Sequence, residues 1–195
     1  MRAALLLSLT LIAVLSGPAS AQPASVETEL VKGRCRFIAD DGEVGDYAEK
    51  RCPGLAGAQV HTVARPSRVS LSLRWRGKKA ANIVQSWSLG TKIAWRGFGR
   101  RNSFKPYAAI VTAIVRDHDT DQTHDVIAVL RIEPRNACLA AAIGVEANKD
   151  AAALARQTAD TAARKFACGT DRARVVGAAS VWAQQVTGDD GEPPK

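Results

Sequence analysis

The sequence predicts an α+β fold in which a mainly antiparallel sheet is packed by a long C-terminal helix and a short helix, with two disulfides. Three observations carry that prediction. Val69-Ser70-Leu71-Ser72-Leu73-Arg74-Trp75-Arg76 alternates apolar and polar residues without a break, the period-2 pattern of a half-buried strand. Tyr107 to Val115 and Val126 to Ile132 are near-continuous apolar runs around the polar stretch Asp117 to Asp125, as expected of a hairpin covered on both faces. Asn148 then opens an alanine-rich segment that runs to Ala167, with Asp150 in the first turn and Gly169 just beyond its end.

Taken in order, the chain begins with Arg2, an apolar run from Ala3 to Leu15, and small residues ending at Ala21. This is the anatomy of a signal peptide over 1–21, cleaved after Ala21, and the run is shorter than the roughly 20 residues a transmembrane helix needs. No later segment reaches that length, so an exported protein, periplasmic or extracellular, is expected. Residues 22–186 read as one domain and 187–195 as a polar tail. Gln22 to Val31 reads as a loose leading segment, Cys35 to Ile38 as a short strand, and Asp40-Asp41-Gly42 as a turn. Gln59 to Ala64 is strand-like up to Pro66. Ala80, Ile83, Val84 and Trp87 fall at i, i+3, i+4 and i+7, which predicts the short helix, with Gly90 near its end. Lys92 to Arg96 returns to alternation. Gly97 to Pro106 is a basic loop, Cys138 to Val145 a further apolar strand, and Arg174 to Trp182 a last one. The long helix buries Ala151, Ala155, Ala159, Ala162 and Phe166.

Four cysteines in an exported chain favour two disulfides. Three connectivities are possible, and local closure favours Cys35–Cys52 with Cys138–Cys168. No Cys-x-x-Cys spacing supports zinc instead.

Charge is distributed unevenly. Lys50 to Arg116 holds fourteen Lys or Arg and no Asp or Glu, while all nineteen acidic residues lie outside it. If the Val69–Arg76 and Lys92–Arg96 strands share a sheet face, Arg74, Arg76, Lys92 and Arg96 project together, and Arg100, Arg101 and Lys105 extend the patch. Like charges set opposite one another destabilise a sheet, so clustering them points to an anion. Trp87 and Phe98 are the candidates for stacking on a flat ligand, with Trp75 and Trp95 in the core. In an exported protein the partner is an anionic glycan, a lipid headgroup or an acidic protein, and the compartment argues against nucleic acid. The alternative is a structural or partner-binding protein whose basic middle is neutralised by its acidic flanks.

Catalytic motifs are lacking: there is no Gly-x-Ser-x-Gly, His-Glu-x-x-His or phosphate-binding loop, and Gly97-Phe98-Gly99 lacks the third glycine of a dinucleotide loop. An enzyme would need a site assembled from distant residues, so no catalytic residue and no cofactor is expected. His61 reads as a packed or surface histidine. Asp117 to Asp125, with His118 and His124, resembles the start of a calcium loop, but Gln122 stands where glycine is needed and Ala128 where a bidentate glutamate is needed. No metal site is assigned.

The order of pieces also carries a likeness. Cys52-Pro53-Gly54-Leu55-Ala56-Gly57, Ile93-Ala94-Trp95-Arg96, Pro106-Tyr107-Ala108-Ala109-Ile110, Cys138-Leu139-Ala140-Ala141-Ala142-Ile143 and Phe166-Ala167-Cys168 follow one another. From Cys35 to Gly177 this resembles a family of small exported alphaproteobacterial proteins of unassigned function. The resemblance implies an exported, disulfide-bonded domain and brings no activity or site residues with it.

Overall fold

The computed structural model describes residues 22–31, 33–40, 47–76, 78–79 and 83–188. The expected signal peptide, the turn at Asp41-Gly42 and the end of the polar tail lie outside them. Two disulfides are formed, Cys35–Cys52 and Cys138–Cys168, the local pairing. No helix among the described residues is long and apolar enough to cross a membrane.

The fold is α+β and mostly antiparallel, built as two sheets rather than one. Sheet I contains β1 (Ala24–Glu29), β8 (Ser88–Phe98), β9 (Lys105–Arg116), β10 (Thr123–Glu133), β11 (Asn136–Gly144) and β12 (Arg174–Val175), paired in that order. Only the β11–β12 pair is parallel. Sheet II contains β2 (Arg36–Asp40), β3 (Ala48–Pro53), β4 (Gln59–Arg65), β5 (Arg68–Trp75) and β6 (Lys78–Lys79), with β7 (Val84–Ser86) also paired to β5.

Sheet I is the middle layer, which is why its two central strands are apolar on both faces. One face packs on sheet II: Ile93, Trp95, Val111 and Leu130 meet Val60, Leu71 and Leu73, joined by Ala183 and Val186 of α2 (Val181–Thr187). The other face, with Ala108, Val129, Ala141 and Ile143, is covered by Ala151 and Ala155 of α1 (Ala151–Thr158) and by Ala159 and Ala163. Alanine lets that helix lie close to the sheet.

Four sequence expectations are corrected. The C-terminal helix is short: α1 ends at Thr158 and gives way to a π-helical turn, Ala159–Ala163. That turn carries the buried stripe to Ala163 rather than Ala162. Asn148 does not cap it, because its side chain is taken by Gly144 O (2.8 Å) and by the amide of Ala178 (2.9 Å). The short helix at Ala80 to Trp87 is not formed over its described part. Val84–Ser86 pairs as β7 with Val69 to Leu71, since an open strand edge satisfies more backbone groups than one isolated turn. The leading segment is not loose: Ala24–Glu29 pairs with Gly97 to Lys92, tucks Val26 against the core, and receives a Trp95 indole hydrogen bond at Thr28 (3.0 Å). Finally, the strand expected from Arg174 to Trp182 shrinks to β12. Val176 to Ser180 is irregular, and Val181 opens helix α2, whose Ser180 cap accepts from the Ala183 amide and whose C-terminus closes at Gly188 with φ 69°.

Candidate functional site

The premise that the predicted cations share one sheet face fails, because β5 belongs to sheet II and β8 to sheet I. Three of the seven are committed to carboxylates. Arg74 lies 3.5 Å from Glu49, which is also hydrogen-bonded to Tyr47 and His61. Lys92 donates to Glu27 at 3.0 Å across the β1–β8 pair. Arg96, only 9% exposed, donates to both oxygens of Asp160 and to the Ser25 hydroxyl.

The Arg96 cluster is a joint between layers. Asp160 sits in the π turn, and it accepts from the Tyr107 hydroxyl at 2.6 Å as well as from Arg96. Arg164 lies over the rings of Phe98 and Tyr107, so Phe98 is occupied internally rather than free to stack on a ligand. Burial pushes the Asp160 carboxyl up, but the hydrogen bonds from Arg96 and Tyr107 and the nearby charges outweigh it, and it lies below its ordinary value. Burial and the bond to Asp160 push the Tyr107 phenol up to about 12.

The remaining predicted cations are placed differently. Arg100 is exposed past the end of β8, and Arg101 begins a 3-10 turn, Arg101–Ser103. Arg76 and Lys105 come together, and with them a cation outside the basic stretch, Arg135. They line a groove of about 550 Å3 between the end of β5, the start of β9 and the β10–β11 connection. Trp75, Phe104, Leu55 and Ile132 give it apolar walls. Among the described residues no carboxylate lies within 4 Å of these three cations. Glu133 also lines the groove, but its carboxylate is taken by Asn136, the Cys168 amide and Arg131.

Arg135 is the residue that sequence reasoning missed. It fills the second place of the two-residue connection Pro134-Arg135 with φ 63°, a conformation that glycine or asparagine adopts more cheaply. Ala56, on the same groove, has φ 52°. The available signal was an arginine where a tight hairpin asks for glycine.

Other singled-out residues are structural. Asp117 accepts from the Asp119 amide (2.9 Å) and Thr120 hydroxyl (2.6 Å), and Asp121 pairs with Arg116 (2.8 Å), so these two carboxylates are spent at the hairpin itself. His124 is bound to Glu146 and stacked on Trp182 at 4.1 Å. His61 is a packed core histidine, 1% exposed, with Nδ1 3.0 Å from Glu49.

No family model, curated protein or solved structure matches the chain.

Proposed function

We propose that this is an exported, non-catalytic protein that binds an anionic component of the cell envelope in the Arg76–Lys105–Arg135 groove. One observation carries the reading: three cations from separate elements converge beside aromatic walls, none with a carboxylate partner within 4 Å among the described residues. Convergent like charges cost folding energy, and an anionic ligand offsets that cost. Three N–H-bearing side chains suit a carboxylate, sulfate or phosphate, while Trp75 and Phe104 suit the apolar face of a sugar or headgroup. The two disulfides fit maturation in an oxidising compartment.

The test turns on Arg135→Gly, which removes a cation and relieves the backbone at the same position. The mature protein is retained on immobilised heparin and on vesicles containing anionic lipid, and salt elutes it. The variant elutes at lower salt, with unchanged or higher thermal stability. Failure of the mature protein to bind either matrix, or unchanged elution of the variant, refutes the groove. Retention on one matrix alone tells a glycan from a headgroup.

A second reading is favoured by the pairs Arg74–Glu49, Lys92–Glu27 and Arg96–Asp160: the basic middle is partly matched within the molecule, as in a structural or partner-binding protein. The same failure to bind either matrix supports it.

A further inference from the structure

We propose that a cleft at the other end of the two-sheet junction is a second ligand site, one that takes a single carboxylated sugar unit. It is separate from the groove. β9 starts at the groove with Lys105 and reaches the cleft with Arg116, 11 residues later, which is about 36 Å of extended strand at ~3.3 Å each. β5 runs between the same two places, with Arg68 in the cleft and Trp75 in the groove.

The cleft is walled by sheet I, sheet II and α2. Arg68 and Gln85 come from β5 and β7, Arg116 and His118 from the end of β9 and its hairpin tip, and Gln185 from α2, beside Trp87. No acidic side chain is among its lining residues. Its two guanidinium groups are held in place. Arg116 lies over the Trp87 ring at 4.5 Å and donates to Asp121 at 2.8 Å, and Arg68 donates to the side-chain oxygen Oε1 of Gln85 at 3.4 Å. A guanidinium has five N–H donors, so both retain donors for a ligand.

The chemistry of the lining selects the ligand. Arg68 has no carboxylate partner among the described residues and Arg116 shares its charge with Asp121, a balance that favours a singly charged anion. Gln85, Gln185 and His118 offer acceptors as well as donors, which a bare inorganic anion leaves unused but hydroxyl groups satisfy. Trp87, with Arg116 over one face of its ring, adds apolar lining beside that guanidinium. The volume, about 210 Å3, is enough to seat one sugar ring.

The experiment titrates the mature protein with sodium glucuronate, glucose and sodium sulfate, followed by tryptophan fluorescence and calorimetry. Glucuronate binds saturably at millimolar concentration, and glucose and sulfate bind at least about tenfold more weakly. Arg68→Met and Gln185→Leu, both at exposed positions, each weaken glucuronate by at least about fivefold when introduced into Arg135→Gly, which disables the groove and itself still binds the sugar. Absence of saturation, equal binding of sulfate, or full affinity in both cleft variants overturns the proposal. Loss of binding in Arg135→Gly alone also overturns it, placing the sugar in the groove and leaving the groove reading intact.

Discussion

Asp160 shows how much of this molecule depends on single charged contacts. Its carboxylate receives Arg96 from β8 and Tyr107 from β9, so one side chain joins the helical layer to two strands of sheet I. Removing it leaves a mostly buried guanidinium without its counter-ion, the case in which breaking a pair is costly. Asp160→Ala is expected to lower stability by about 3 kcal/mol in chemical denaturation, against about 1 kcal/mol for Tyr107→Phe, which removes one hydrogen bond. Equal losses for the two variants would show that the ion pair adds nothing beyond the hydroxyl contact. The sequence showed Arg96 as a cation on an alternating strand. It did not show that Asp160, 64 residues later, returns above it. Charge and local period are written in neighbouring residues, whereas the partner of a charge is a long-range fact.

Among the elements, α2 was missed, since the segment up to Trp182 reads as a strand and only the ends of the helix carry a helical signal. Ser180 and Gly188 are good capping residues, but seven residues between them are too few for a helical stripe to stand out. Its seat is set by Gly144 at the end of β11, where an added Cβ would overlap the Ser180 side chain. Gly144→Ala is expected to displace the start of α2 and disturb the His124–Trp182 stack, seen as a change in near-ultraviolet circular dichroism with far-ultraviolet signal retained. Unchanged aromatic signal would mean that the helix shifts as a rigid unit without cost. The π turn had no sequence signal, because alanines at 159, 162 and 163 suit either helical period. Only the demand to place Asp160 over Arg96 distinguishes them.

At the scale of the whole molecule, the paired and buried ionisable groups make stability depend on pH from both ends. Burial pushes the His61 imidazole below its ordinary value despite the bond to Glu49, so the folded state binds fewer protons than the unfolded one. The stability it contributes is present above about pH 6.5, the unfolded value, and is lost as pH falls below it. Hydrogen bonds from His61 and Tyr47 lower Glu49, and Asp160 is also lowered, so a second loss follows below about pH 4. Tyr107 acts oppositely, with its contribution complete below about pH 10 and lost as pH rises through about 12. Unfolding free energy measured across pH is expected to fall from about 6.5 downward in the native protein, and less steeply in His61→Gln. Parallel curves for the two proteins would remove His61 from this account.

What the sequence determined by itself is local: the α+β class, the core strands in β5, β9, β10 and β11, and a cysteine spacing that favours the observed disulfides. Each rests on residues that report their own environment through period, apolarity or short loop closure. Tertiary structure alone decided that the strands form two sheets, that Arg74, Lys92 and Arg96 face carboxylates, and that Arg76 and Lys105 meet Arg135. These depend on which distant segments stack, and period 2 says which face of a strand is buried but not what covers it. The basic stretch therefore ends as residues paired with carboxylates, Arg74 and Lys92 within a sheet and Arg96 across layers, residues that line the groove and the cleft, and others such as Arg100 that are exposed elsewhere.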